Sequence, residues 1–138
     1  MENKNFELVR TSEGIQCNTF TSLSTETKEE KAKLYNVVNN TTERLFMHIN
    51  ETLEIVDVYC ESTQTTDEET GEVRNAVKVI VIDVNGVSYY ACSSGITNSI
   101  AQIFNIFGMP CEWDDPLKVK VKAREAKKGQ TIYFEVVM

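Results

Sequence analysis

The sequence predicts a mostly-β domain with one or more helices, built around a five-stranded antiparallel barrel with an N-terminal β/α extension. Three features support this fold class: runs of alternating apolar and polar residues, an Asn85–Gly86 hairpin signal, and one segment whose apolar residues have helical spacing. At 138 residues with 41% hydrophobic residues, the chain is long enough to bury one core. We therefore expect a single domain over residues 1–138, divided into an extension (1–52) and a core (53–138).

The β pattern of the core begins at Leu53. The segment "LEIVDVYCEST" predicts a long first strand, which is followed by a polar loop with Gly71 in the turn. "NAVKVIVIDV" predicts a second strand and "VSYYACS" a third, and the Asn85–Gly86 pair between them predicts a tight turn. The closing stretch "LKVKVKAREAKKGQTIYFEVV" predicts two more strands joined by "EAKKGQ". Five strands are therefore expected in the core.

A helix is predicted between the third and fourth of these strands. Five apolar residues share one face at helical spacing: Ile96, Ile100, Ile103, Phe104 and Phe107. Ser94 is a suitable N-cap, Gly108 stands where a C-terminal glycine belongs, and Pro110 prevents continuation of the helix. The segment therefore has both the amphipathic face and the end signals of a packed helix.

The extension has a different pattern. "IQCNTFTSL" is consistent with a strand, and Ser24 or Thr25 could cap a following helix with several glutamates in its first turn. "TTERLFMHI" predicts one further helical turn. The core order of three strands, a helix and a closing hairpin is that of an OB-fold. An α+β sheet with one packed helix fits the same order.

Several function classes find no support in the sequence. There is no glycine-rich phosphate loop, nucleophile elbow or zinc-protease helix, and the four cysteines contain no C-x-x-C. With one histidine in the chain, a zinc site would need scattered ligands, so no metal or cofactor is expected. The N-terminus has no signal-peptide core and the apolar runs are strand-length, so we expect a cytoplasmic, non-enzymatic protein without a membrane partner.

Positive charge is concentrated in the last predicted hairpin. From Leu117 onward, six basic and two acidic residues give +4, so the rest of a chain with net charge −7 carries −11. A strand period of two directs Leu117, Val119, Val121 and Ala123 to the core. The alternate positions face outward and are Lys118, Lys120, Lys122 and Arg124. Such a row can be edge protection against aggregation, or it can bind an anionic ligand.

Tyrosines are predicted beside these cations. Tyr133 falls on the same outward face, and of the Tyr89–Tyr90 pair one ring faces the core and the other faces out. Tyr90 is the outward candidate if it aligns with Ser88, although core aromatics with hydroxyls at the rim are an equal alternative. Cations that follow a backbone and rings that stack on bases are the combination used for single-stranded nucleic acid. The predicted nucleic-acid-binding residues are Tyr59, Lys78, Tyr90, Lys118, Lys120, Lys122, Arg124, Lys127, Lys128 and Tyr133.

A resemblance to a known family rests on three stretches. They are "NGVSYYACSSG", the helix "ITNSIAQIFNIFG" and the closing "LKVKVKAREAKKGQTIYFEV". From Leu53 onward the chain resembles the single-stranded-DNA-binding proteins of tailed phages that replicate by protein-primed strand displacement. The resemblance implies an OB-fold, no cofactor, and sequence-tolerant coating of displaced strands during DNA replication in the host cytoplasm. It transfers a binding role to the exposed tyrosines and the basic hairpin, and it leaves replication proteins and further copies of the chain as additional partners.

A second hypothesis uses the acidic surface instead. An acidic face can bind a basic partner by imitating nucleic acid, as a protein-interaction module or an inhibitor would. The residues concerned are Asp67, Glu68, Glu69, Glu72, Glu112, Asp114 and Asp115. Trp113 lies within this acidic loop, where phosphate would be repelled, so it is predicted to pack as a lid rather than to stack on bases.

Overall fold

The computed structural model describes residues 6–126 and 129–137. In these residues the strands are β1 Leu8–Thr11, β2 Gly14–Cys17, β3 Phe20–Thr21, β4 Glu43–Arg44, β5 Thr52–Thr66, β6 Val73–Asp83, β7 Ser88–Ala91, β8 Leu117–Ala126 and β9 Gly129–Val136. The α-helices are α1 Lys28–Asn40 and α2 Ser94–Phe107, and the 3₁₀ turns are Leu45–His48 and Pro110–Glu112. The predicted fold class, mostly β with helices, is confirmed.

The strands form one open, mixed sheet. Its main path is β1-β2-β6-β5-β8-β9, while β7 pairs with β6 and β4, and β3 pairs with β5. Most pairs are antiparallel, and the exceptions among the described strands are β2–β6 and β4–β7. A closed five-stranded barrel would need β7 to pair with β9, and no such ladder occurs in the described part of the chain. The five-stranded barrel is therefore not confirmed.

Helix α2 covers the core face of this sheet. Ile96, Ile100, Ile103 and Phe104 are buried as predicted, and they pack with valines of β6 and β8 in one hydrophobic core. Phe107 is 44% exposed, which corrects its predicted core position. Its angular position matches that of Ile96, so its exposure reflects its place as the last residue of the helix.

The ends of α2 agree with the sequence signals to within one residue. The N-cap is Ser93 rather than Ser94, and its hydroxyl accepts a hydrogen bond from the Gly95 amide at 3.1 Å. Gly108 ends the helix with φ +83°, and its amide donates to the Phe104 carbonyl at 3.0 Å. A positive φ at this position is strained for most other residues, which explains the glycine.

The extension contributes to the same core. The predicted strand over residues 15–23 is divided into β2 and β3, and α1 begins later than expected, with Thr27 as its N-cap. Thr27 and Glu30 form a reciprocal capping box, in which each side chain accepts a hydrogen bond from the other residue's backbone amide. Because two amides at the helix start are satisfied in this way, the helix begins after Thr27 rather than after Ser24 or Thr25. Phe20 of β3 and Leu45 of the 3₁₀ turn are buried in the core cluster. The first 52 residues thus supply part of the hydrophobic core.

Both predicted hairpins are present. At Asn85–Gly86 the Asp83 carboxylate accepts from the amides of Asn85 and Val87, each at 2.9 Å, and Gly86 has φ +83°. The last hairpin is longer than predicted, because β8 continues to Ala126 and β9 begins at Gly129. The expected loop "EAKKGQ" is therefore largely strand, and Lys127 and Lys128 lie outside the described residues.

Close packing of α2 on β9 leads to a stability prediction. A Cβ atom on Gly95 would lie 2.1 Å from the carbonyl oxygen of Ile132, which is backbone and cannot rotate away. We expect Gly95→Ala to lower the free energy of unfolding by about 1–3 kcal/mol, as overpacking does. Urea denaturation measures this, and Ser94→Ala, at the adjacent exposed position, should change stability by less than about 0.5 kcal/mol. Equal stability of the two variants would contradict this packing.

Candidate nucleic-acid interface

The final hairpin has the two faces that its alternation predicts. Val119 and Val121 are buried, whereas Lys118 and Arg124 are exposed and Lys120 and Lys122 are half-buried on the opposite face. We call this outward row of Lys118, Lys120, Lys122 and Arg124 the basic row. In the part of the chain that the structure describes, none of its four side chains forms an ion pair.

Two carboxylates nevertheless lie close to the basic row. The strand register places Glu54 of β5 opposite Lys118, and Glu135 of β9 opposite Lys120. Lys122 is opposite Tyr133 instead. The positive character of the row therefore increases toward Arg124, at the end that carries the tyrosine.

Tyr133 has a cation over its ring. The guanidinium carbon of Arg124 lies 4.8 Å from the ring centroid, within the range of a cation–π contact. Both residues line a groove of about 690 Å³ between α2 and the hairpin, where Arg10 and Gln102 also lie. The predicted pairing of Tyr133 with a basic side chain on one face is thus present.

Tyr90 has the same arrangement on another strand. The ammonium nitrogen of Lys78 in β6 lies 5.3 Å from the Tyr90 ring centroid. The neighbouring Tyr89 is 8% exposed, and its hydroxyl donates to the Asp83 carboxylate at 3.3 Å. Burial and the nearby Asp83 raise the pKa of Tyr89. The structure therefore places Tyr89 inward and Tyr90 outward.

Tyr59 differs from the other two tyrosines. It lies in one row with Ile80 and Tyr90 across β5, β6 and β7, so it is on the same face of the sheet as Tyr90. However, its side chain is only 7% exposed, and its strand β5 pairs with β3 on one side and β6 on the other. Burial raises the pKa of its hydroxyl. The binding role of Tyr59 stays a prediction, and this conformation leaves little of its side chain accessible to a ligand.

A cleft opens where the sheet fails to close. It has a volume of about 290 Å³ and lies between the end of β7 and the start of β9. Its lining includes Arg44, Phe46, Tyr90, Cys92 and Gln130. Sequence reasoning missed Arg44 and Phe46, because the parallel pairing of β4 with β7 that brings Arg44 opposite Tyr90 leaves no local signal.

His48 connects two carboxylates beside Tyr89. Its Nε2 atom lies 2.9 Å from a carboxylate oxygen of Glu43, and its Nδ1 atom lies 3.0 Å from one of Glu51. Its ring packs against the Tyr89 ring in a T-shaped arrangement, with 4.9 Å between the ring centroids. Hydrogen bonds to Glu51 and then Glu43 raise the pKa of His48 above 6.5. The protonated ring can donate to both carboxylates at once.

This arrangement predicts a pH dependence of stability. Since the folded pKa lies above the unfolded value of 6.5, the stabilisation is fully present below pH 6.5 and is lost as the pH rises through the folded pKa. We expect the stability difference between the wild type and His48→Gln to shrink over that interval. Urea denaturation of both proteins at a series of pH values from about 5.5 to 8 measures it. A difference that stays constant over this range would contradict the ion pairs.

The described residues offer no metal site. No group of three or more metal-binding side chains occurs there, and the four cysteines are free. None of the described helices is long and apolar enough to cross a membrane.

Trp113 is half-buried against the core and donates from its indole nitrogen to the Gly108 carbonyl at 3.0 Å, consistent with its predicted packing role.

Comparison with known proteins identifies the family. Neither the curated proteins nor the solved structures contain a match to the chain. The model of one protein family, described as phage single-stranded DNA-binding protein, matches residues 13–135 of the 138. The match extends through both tyrosine–cation pairs, the basic row and the cleft, and it includes most of the extension as well as the core. The chain belongs to the family of phage single-stranded DNA-binding proteins.

Proposed function

We propose that this protein coats displaced single strands during phage DNA replication in the host cytoplasm, binding them with little preference for sequence and without a cofactor. The observation that carries the proposal is the pairing of each outward tyrosine with a cation: Lys78 with Tyr90, and Arg124 with Tyr133. Each pair places an aromatic ring that can stack on a base beside a cation that can bind a phosphate. Every nucleotide has a base and a phosphate, so each pair suits any nucleotide.

Each tyrosine can hold its cation and a base at the same time. A ring has two faces, and the cation lies over one of them, so a base would stack on the other. A cation near the ring is also close to the backbone of the stacked nucleotide. The hairpin lysines Lys118, Lys120 and Lys122 would extend phosphate contacts beyond the rings, as would Lys127 and Lys128, the next two lysines along the chain.

Sequence tolerance follows from the kind of contact. Stacking is available to every base because every base has a π-face, and phosphates are identical along the strand. Recognition of a particular sequence requires hydrogen bonds to base edges instead. The outward residues of the two pairs are tyrosines, a lysine and an arginine, so their stacking and charge would hold any strand.

We further propose that the core is an OB-like barrel that remains open on one side. The strand path β7-β6-β5-β8-β9, with α2 inserted between β7 and β8, supports this arrangement. OB-folds are five-stranded, partly open barrels that bind oligonucleotides. The cleft between β7 and β9 would be the opening, and Tyr90 lies at its edge.

A titration of labelled oligo-dT, followed by fluorescence anisotropy at several salt concentrations, tests the proposal. Trp113 packs near the end of α2 and does not line the cleft, so a labelled strand is a better reporter than tryptophan fluorescence. We expect log K to fall linearly with log salt, with a slope of about −0.7 for each phosphate contacted. Oligo-dA and oligo-dC should bind with similar affinity.

Two results would contradict the proposal. The first is the absence of binding, which would favour the acidic-surface hypothesis instead. The second is binding that does not respond to salt, because a strand held through its phosphates must release counterions.

A further inference from the structure

We propose that the cleft between β7 and β9 holds one unpaired base of the bound strand, with Phe46 and Tyr90 contacting the base and Arg44 binding an adjacent phosphate. This inference rests on the proposed function and specifies how one nucleotide is held. It assigns a binding role to two residues of the extension, a part of the chain in which no binding residue was predicted.

The shape and lining of the cleft suit a base. Its volume of about 290 Å³ is near the lower limit of small-molecule sites, which are mostly apolar with a few polar groups. Two aromatic side chains and Ile132 supply the apolar surface, while Gln130 supplies an amide that can meet a base edge. Phe46 is 45% exposed although it borders a cleft, so part of its ring is available to a ligand.

Charge favours a nucleotide over an uncharged occupant. Arg44 lines the cleft, is exposed, and forms no ion pair with any described residue. It stands opposite Tyr90 in the β4–β7 register, and Tyr90 has Lys78 over its ring. Arg44 and Lys78 therefore both lie near Tyr90, and the phosphates on either side of a stacked base would meet these two cations.

The position of the cleft is continuous with the proposed path of the strand. Tyr90 belongs both to the cleft and to a tyrosine–cation pair, and residues 130–132 lead from the cleft directly to Tyr133 on β9. A strand that stacks on both tyrosines thus passes the cleft. A base that turns inward between them would leave water for the apolar surface of Phe46.

Replacing Phe46 by leucine tests the inference. Leucine retains apolar bulk but has no ring, so loss of a stacked base should weaken oligo-dT binding by about 5- to 150-fold. Phe107→Leu is the matched control, because Phe107 is equally exposed, at 44%, but does not line the cleft. Thermal melting of both variants shows whether the fold is retained.

An abasic oligonucleotide of the same length separates stacking from charge. Phe46→Leu should bind it as the wild type does, whereas Arg44→Gln should weaken both oligonucleotides and reduce the salt slope by about 0.7. If the wild type does not bind oligo-dT, the proposed function itself fails. If the wild type binds and Phe46→Leu behaves like Phe107→Leu, the proposed function stands and the cleft inference is overturned.

Thiol protection gives an independent readout without a substitution. Cys92 lines the cleft and is half-buried, whereas Cys111 is exposed and lies outside the cleft. Burial raises the pKa of Cys92, so alkylation is best followed at mildly alkaline pH. Saturating oligo-dT should slow alkylation of Cys92 but not of Cys111. An unchanged Cys92 rate at saturation would show that the cleft is empty and would overturn the inference.

Discussion

Replacing Tyr90 and Tyr133 together by alanine is expected to weaken oligo-dT binding by about 2–6 kcal/mol, because stacking on each ring contributes about 1–3 kcal/mol. Each single variant should lose about half of this, since the rings are on different strands and have separate cations. Anisotropy titration at fixed salt measures the loss. The salt slope should change little, because the cations remain in place.

Two controls make this expectation specific to the rings. Tyr35→Ala removes a tyrosine that is 68% exposed on α1, at a distance in sequence from both pairs, and should leave the affinity unchanged. Tyr90→Phe and Tyr133→Phe keep the π-face and should bind as the wild type does. A loss of affinity in the phenylalanine variants would assign the contact to the hydroxyl groups instead. An alanine double variant that binds normally would remove the tyrosines from the interface.

The three predicted tyrosines show what a sequence can determine about a site. The structure places Tyr59 and Tyr90 in one row across the sheet, whereas the sequence only offered both as candidates for one surface. Periodicity gives the face of a strand but not what covers that face. Tyr59 is only 7% exposed, and β3 of the extension pairs beside it through residues about 40 positions away in the chain. Local patterns carry no trace of such a contact.

The difference between local patterns and long-range contacts also explains which other features of the molecule the sequence predicted. The Asn85–Gly86 turn, the ends of α2 and the two faces of the last hairpin depend on neighbouring residues, and the sequence predicted them within one or two positions. The role of the extension depends on long-range pairing. Arg44 and Phe46 reach the cleft only because β4 pairs with β7 in parallel, a contact for which "TTERLFMHI" gives no indication. The missed residues are therefore those positioned by tertiary structure alone.

Replacing Lys118, Lys120 and Lys122 by glutamine is expected to lower oligo-dT affinity by up to about 100-fold at 0.1 M salt and to reduce the salt slope by up to about 2. Each lysine that meets a phosphate contributes about 0.7 to the slope, and the contribution grows as salt falls. Glu54 and Glu135 oppose two of these lysines in the ladder, so a phosphate must compete with a carboxylate there. The loss should therefore be largest for Lys122, which is opposite Tyr133.

Helix α1 provides a control with the same change in charge. Lys28, Lys31 and Lys33 are exposed, and replacing them by glutamine moves the net charge from −7 to −10, as the hairpin variant does. If location matters, the α1 variant should keep the wild-type slope while the hairpin variant loses up to about 2. If both variants weaken binding equally, only the overall charge acts on the strand, and the basic row is edge protection. Because the two variants share one net charge, a difference between them can arise only from where the lysines lie.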